Sequence, residues 1–265
     1  MTDLGATMLF SGGAVLVLML LTFAGSLPLR DVSIVDIAWG LAFVNIGWVS
    51  VVVADGDAAR SALALALVTI WGLRLAVYIS IRKASHPGED PRYQKMRERH
   101  GDRFPLVSFF TIFLFQGVLA WIVSLPLQGA AASTDDALGP LAYLGAALWL
   151  VGFVFEAGGD HQLQRFKADP ANKGKVMDRG LWRYTRHPNY FGDFAIWWGL
   201  FLIGLDGGAW WAIVSPLIMT VLLTRVSGKD LLEKSMSERP GYKEYVENTS
   251  GFIPLPPRSK AARAT

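Results

Sequence analysis

The sequence predicts an all-α polytopic membrane protein: seven transmembrane helices followed by a C-terminal amphipathic cytosolic helix. Three observations carry this. The chain is 52% hydrophobic and only 18% charged, against roughly 25% charged in soluble domains. Seven apolar runs, at about 5–24, 34–54, 61–81, 106–127, 138–158, 190–205 and 209–225, each approach the roughly 20 residues that cross a bilayer. Lysine and arginine alternate between loops: seven lie in 82–105, seven in 165–187 and eight from Arg225 onward, which with Arg30 makes 23 of the 25. The intervening loops 55–60, 128–137 and 206–208 hold Arg60 and several aspartates. The positive-inside rule then puts the N-terminus outside and the C-terminus in the cytosol. An integral membrane location follows, the inner or plasma membrane in a bacterium.

The elements are read in order. The first run, "GGAVLVLMLLTFAG", is Leu/Val-rich with small residues suited to close helix packing. Asp3 precedes it, so it lacks the basic leader of a cleavable signal. The second run carries Asp36 in "IVDIAWG", the third Arg74 in "WGLRLAVY", and the fourth Gln116 in "FLFQGVLAW". The fifth ends at Glu156, with Asp160 and His161 just beyond, and the sixth begins around Asp193 in "NYFGDF". Ionisable groups inside a span are costly unless they face a partner or a cavity. These residues are therefore the first functional candidates. Snorkelling, an interhelical hydrogen bond and helix-end capping are the structural alternatives, and Asp36 also suits the first turn of a helix by its dipole. The tail "SGKDLLEKSMSERPGYKEYVENTSGFIP" mixes charge with Leu231, Leu232, Met236, Tyr242 and Tyr245. It reads as an amphipathic helix broken at Pro240–Gly241. No internal repeat or hinge appears, so 1–265 is read as one domain.

The segment 174–193, "GKVMDRGLWRYTRHPNYFGD", concentrates Lys175, Arg179, Arg183, Tyr184, Arg186, His187, Asn189, Tyr190 and Asp193. Pro188 suits the first turn of span six. That places Arg186, His187 and Asn189 at a helix N-terminus, where backbone N–H groups and the dipole attract anions. Arginine adds bidentate phosphate recognition. The chemistry matches a phosphate-bearing cofactor entering from the cytosol. A solvated basic loop would need the charge alone and not the interleaved His, Asn, Tyr and Trp182. The loop "RKASHPGEDPRYQK" offers Arg82, Asp90, Arg92 and Tyr93 in a similar, sparser arrangement.

Other chemistries find no support. Cysteine is absent, which removes disulfides, thiolate metal sites and a cysteine nucleophile. The chain has no G-x-G-x-x-G, P-loop or H-E-x-x-H. Its four histidines, His86, His100, His161 and His187, lack metal-ligand spacing, and no metal is expected. Neither a nucleic acid nor an obligate protein partner is indicated.

"GLWRYTRHPNYFGD" resembles the C-terminal domain of steroid 5-alpha-reductases and the related bacterial DUF1295 proteins. The resemblance extends over "VDIAWG", "WGLRLAVYISIR", "GEDPRY", "FQGVLAW", Glu156 with Asp160, and the tail "KDLLEKSM", "GYKEY" and "GFIP". Sterol C14-reductases and isoprenylcysteine carboxyl methyltransferases share the Arg-His-Pro core more distantly. The resemblance implies NADPH held in a seven-span bundle, mainly by 82–105 and 156–250. Asn189 and Asp193 match the family's Asn-x-x-x-Glu pair for the nicotinamide carboxamide, with Asp in place of Glu. Asp160 matches the acidic residue of the preceding helix and Lys175 a basic loop position. Lys229 and Glu233 fall where the family has His and Tyr. The family polarises the substrate ketone with a second-span Glu and a third-span Tyr. Here the carboxylate is Asp36, the Tyr position falls near Gly72, and the role passes to Tyr78, to Gln116 or to neither.

The expectation is an NADPH-dependent reductase of the C=C bond of a lipophilic enone such as a Δ4-3-ketosteroid. Asp36, Tyr78 and Gln116 are the catalytic candidates. Arg74, Arg82, Arg92, Tyr93, Glu156, Asp160, Lys175, Arg179, Tyr184, Arg186, His187, Asn189, Tyr190, Asp193, Lys229 and Glu233 are the cofactor candidates. The partners are the steroid-like substrate and membrane lipid. The rival readings are an S-adenosylmethionine-dependent methyltransferase of the isoprenylcysteine type and a non-enzymatic lipid- or sterol-binding protein.

Overall fold

Thr7, Ser11, Val15, Met19 and Ser26 are buried along one side of α1 (Leu4–Leu29), while Leu9, Phe10, Val17, Leu20 and Leu21 point outward. This is the pattern lipid permits: small and polar groups pack inside, and large apolar side chains need no shelter. Two of the inward hydroxyls are satisfied within their own helix, Ser11 donating to the Met8 carbonyl at 3.2 Å and Ser26 to that of Phe23 at 2.7 Å.

The computed structural model describes residues 4–54, 59–85, 88–134, 137–226, 233 and 236–258. Among these, every named element is helical, and the extended pairing is a single bridge, Thr185 to Ser250. After α1 come α2 (Ile34–Ala54), α3 (Ala59–Ser85), α4 (Pro91–His100), α5 (Phe104–Ser108) and, past a π-helical stretch at Phe109–Leu114, α6 (Phe115–Val123). Then follow α7 (Leu125–Ala131), α8 (Pro140–Ala168), α9 (Pro188–Asp206), α10 (Val214–Val221) and α11 (Tyr242–Asn248).

Five stretches are long and apolar enough to cross a membrane: Leu4–Leu29, Ile34–Ala54, Ala59–Ser85, Pro91–Val123 and Pro140–Ala168. They make the chain an integral membrane protein. The expected sixth and seventh spans fall short of that measure. α9 has 19 residues, and Asn189, Tyr190 and Asp193 in its first two turns dilute its apolarity. Trp210–Val226 is a shorter apolar stretch, passing from a 3-10 turn through α10 into a π-helical end.

Backbone contacts divide the chain into two compact units. One comprises Met1–Tyr143 with Phe201–Ser215, the other Leu144–Leu200 with Pro216–Thr265. In the first, α2 and α3 meet at Gly40 and Gly72. A Cβ on either would stand 2.6 Å from the other's carbonyl oxygen, so only glycine permits this approach. Buried Trp71 and Phe43 pack edge-to-face at 5.5 Å between their ring centres. The loop expected at 128–137 begins instead as helix: all seven residues of α7 are buried. Its Gly, Ala and Gln content reads as a polar connection in sequence. In the fold, small residues let the helix press inward, and Gln128 donates to the Trp121 carbonyl and the Ser124 hydroxyl at 3.0 and 2.9 Å.

In the second unit, α8 and α9 run antiparallel on paired glycines. A Cβ on Gly152 would meet the Gly192 carbonyl at 2.6 Å, and one on Gly199 the Gly145 carbonyl at 2.5 Å. The chain after α10 returns to the start of α9. The Arg186 N–H donates to the Ser250 carbonyl at 2.9 Å, and the Thr185 hydroxyl to that of Phe252 at 2.8 Å. Of the expected tail helix, 227–232, 234 and 235 lie outside the described residues. Gly241 adopts φ +80° at the expected break, and α11 follows with Tyr242 and Tyr245 buried on one side.

Candidate functional site

Two polar clusters form, one in each unit. The first gathers around Asp36 in the first turn of α2. Its carboxylate accepts the Tyr93 phenol at 3.0 Å and the Arg92 guanidinium at 3.4 Å. Gln116 on α6 stands beside the same phenol. Tyr93 arrives there because "DP" starts a helix at this point. Asp90 accepts the Arg92 N–H at 2.9 Å as N-cap, and Pro91 occupies the first turn.

The loop before α4 is bound to the start of α2. Glu89 accepts the Val32 N–H at 2.9 Å and a bidentate pair from Arg97 at 2.7 and 2.8 Å. The Asp90 N–H donates to the Ser33 hydroxyl at 2.9 Å, and Lys83 pairs with Asp31. Burial alone would raise the carboxyls of Asp31, Glu89 and Asp90. Hydrogen bonds from Lys83 and Ser33 to Asp31, from Arg97 and Val32 to Glu89, and from Arg92 to Asp90 outweigh it and hold all three below the usual carboxylate range.

Tyr78 is engaged differently. The guanidiniums of Arg74 and Arg82, one turn to either side on α3, lie 5.1 and 5.9 Å from its ring centre. The phenol on Asp36 is thus that of Tyr93, which the sequence reading assigned to the cofactor.

The second cluster lies where α9 starts. The Asn189 amide donates to Asp160 on α8 at 3.3 Å. Asp160, Glu156 and His187 are buried at 5%, 4% and 6% exposure. The His187 ring stacks on Tyr190, one turn on, at 5.5 Å. Arg186 donates from two nitrogens to Glu233, at 2.9 and 3.1 Å, and to the carbonyls of Thr249 and Val246 at 2.7 and 3.1 Å. His187 lies 3.1 Å from the same Glu233 oxygen. Burial works to raise the Glu233 carboxyl, but the bonds from Arg186 and His187 prevail and hold it low. Burial pushes the phenols of Tyr242 and Tyr245 up, so both stay protonated, and Tyr245 donates to the Trp182 carbonyl at 2.6 Å. Trp182 in turn donates to the Gly159 carbonyl at 3.0 Å.

The structure therefore brings together Asp160, Arg186, His187, Asn189, Tyr190 and Glu233, with Glu156 and Asp193 on the same two helices. The side chains of Lys175, Arg179 and Tyr184 are exposed. Lys229 lies outside the described residues. Sequence reasoning missed Asp31, Ser33, Lys83, Glu89 and Arg97. The signal open to it was the acidic pair at the head of "EDPRY", beside a basic helix.

An all-helical membrane protein with a part-buried carboxylate–amide pair at the start of a late helix, and a carboxylate–phenol pair at the start of an early one, is the class these features define. Residues 22–249 match the family described as "Protein of unknown function (DUF1295)", and the chain belongs to this steroid 5-alpha-reductase-like family. It is 31% identical over 128 residues to the 3-oxo-5-alpha-steroid 4-dehydrogenase 1 of Bos taurus, covering 48% of this chain and 49% of that protein. The Rattus norvegicus protein of the same name is 32% identical over 130 residues, with 48% and 49% covered. An uncharacterized protein of Schizosaccharomyces pombe is 26% identical over 219 residues, covering 71% of this chain and 61% of that one. The chain thus spans about half the length of the steroid dehydrogenases it matches. No solved structure matches it significantly.

Proposed function

We propose that the protein is an NADPH-dependent membrane reductase of the C=C bond of a lipophilic enone, a Δ4-3-ketosteroid being the best-matched class. The observation that carries this is the Asn189 amide on buried Asp160 at the first turn of α9, together with the relatives' names. A nicotinamide carboxamide needs one acceptor and one donor, and Asn189 with Asp193 supplies both. Lys175 and Arg179, exposed on the preceding loop, suit phosphates. The donor set fits the cofactor, which when bound supplies a hydride. In this reading the chain spans the membrane seven times as one functional domain, with its C-terminus in the cytosol.

The protein's own part is to hold charge and protons. Hydride addition to an enone builds negative charge on the carbonyl oxygen, and a preorganised O–H or N–H donor aimed there lowers the barrier. Asp36 and Tyr93 form a hydrogen-bonded pair with Gln116 beside the phenol. Asp36 orients the phenol: when protonated it donates to the Tyr93 oxygen, which leaves the Tyr93 O–H to donate to the substrate carbonyl.

The test is NADPH binding to the detergent-solubilised protein, followed by incubation with progesterone or testosterone and mass spectrometry for a two-hydrogen gain. Saturable NADPH binding that Asn189→Ala abolishes supports the reading. Tight S-adenosylmethionine binding without NADPH binding overturns it in favour of a methyltransferase. Binding of neither points to a lipid- or sterol-binding protein.

A further inference from the structure

Glu89 occupies an unusual place among the charged residues of the first unit. Its side chain is only 6% exposed, yet it is an acid in the loop between α3 and α4. One oxygen takes both the Val32 N–H and an Arg97 nitrogen, and the other takes Arg97 Nε. Val32 lies one turn before Asp36, and Arg97 lies one turn after Tyr93 on α4. A single carboxylate therefore grips both elements that supply the Asp36–Tyr93 pair. The stitch is doubled beside it, where the Asp90 N–H donates to the Ser33 hydroxyl and Lys83 joins Asp31 and the Gly88 carbonyl. Arg97 is held in place over the Phe104 ring at 4.3 Å. Within α4 itself, the Arg92 contact to Asp36 that would bring Tyr93 to a residue 57 positions earlier is long, at 3.4 Å, and the Glu89 grip supplies closer bonds.

We infer that Glu89 is a positioning residue: it locks the start of α4 to the start of α2 so that the Tyr93 hydroxyl is held on Asp36. This rests on the reading of Asp36 and Tyr93 as the carbonyl-facing donors. Glu89 touches neither substrate nor cofactor and acts through the pair. Because a misplacement of about 1 Å at a reacting group can cost on the order of 100-fold in rate, Glu89→Ala lowers kcat between about 10- and 100-fold. The KM for NADPH stays unchanged. Glu89→Gln, which still accepts the Val32 N–H, loses less.

The deciding experiment is a double-mutant cycle on kcat with Tyr93→Phe. If Glu89 acts through Tyr93, Glu89→Ala costs little further in the Tyr93→Phe background. Multiplying losses, or an unchanged kcat in Glu89→Ala, overturn the inference, and thermal melts of both Glu89 variants separate misfolding from mispositioning. A second measurement needs no activity. The chain has no cysteine, so Asp36→Cys with Tyr93→Cys gives a clean pair for a short bis-maleimide. Cross-linking is several-fold slower when Glu89→Ala is added, and equal rates overturn the positioning role. Full activity in Tyr93→Phe overturns the carbonyl-facing reading and with it the role of Glu89 in the reaction, while the cross-linking rate separately reports whether the grip exists.

Discussion

The Arg60 guanidinium donates to the Asp206 carboxylate at 3.0 Å, with side chains only 1% and 7% exposed. Arg60 also donates to the Ser133 hydroxyl at 2.7 Å and the Ala137 carbonyl at 2.6 Å, and Asp206 accepts the Gly139 N–H at 2.8 Å. One buried ion pair thus ties together the starts of α3 and α8, the end of α9 and the segment after α7. Removing one member of such a pair strands a charge, at a cost of about 3–5 kcal/mol. Arg60→Met and Asp206→Leu are each expected to lower the detergent melting temperature sharply. The double variant, which leaves no stranded charge, should recover much of the loss. A double variant as unstable as the singles would show that the hydrogen bonds, not the charges, matter.

The glycine contact between α8 and α9 makes a sharper stability prediction. Gly152→Ala places a methyl group 2.6 Å from the Gly192 carbonyl, and overpacking of this kind costs about 1–3 kcal/mol or more. Gly13→Ala on α1 meets nothing within 4 Å and should leave stability unchanged or slightly improved. Comparing the two melting temperatures checks the packing directly.

The acid limb of stability is set by depressed carboxyls. Glu233 is held below its ordinary range, so its ionised form stabilises the fold above its unfolded value of about 4.3, and that stabilisation is lost as pH falls through the lower folded value. Asp31, Glu89 and Asp90 act with the same sign. Melting temperature is therefore expected to hold from neutral pH to about pH 5 and to fall below it. Glu233→Gln should start lower at neutral pH and converge with the parent in acid. Parallel curves would exclude Glu233 as a source of the acid sensitivity.

For the proposed reduction, Tyr93→Phe is expected to lower kcat by about 100-fold, in the range typical of a positioned proton donor. Tyr78→Phe keeps the ring that Arg74 and Arg82 contact and should leave activity and NADPH binding unchanged. Initial rates across NADPH concentrations tell them apart. The opposite ranking would return the acid to α3.

Much of this architecture is legible in the amino-acid order, because lipid imposes a length and a polarity on each span. The runs holding α1, α2, α3, α6 and α8 stand out for that reason. α7 does not, since seven residues rich in Gly and Ala carry no period that separates a buried helix from a loop. At the start of α9, "RHPNY" marks a site by its residue types alone. Its closure by Glu233 does not show, because the partners are 47 residues apart and nothing local demands the contact. The same holds for Glu89 and Val32, 57 apart. Chemistry is written residue by residue, whereas pairing is decided by where the helices come to rest.

The Gly152–Gly192 contact also limits how the second unit can respond to a ligand. With main chains touching at these glycines, no side chain lies between α8 and α9 there to shear or re-pack. Asp160 and Asn189 are set on these two helices as marks on one ruler, and their spacing resists adjustment. Accommodation at this site then falls to Arg186 exchanging partners or to the loop of exposed lysines and arginines, and on the proposed cofactor reading selectivity for the carboxamide end is expected to be stricter than for the charged end.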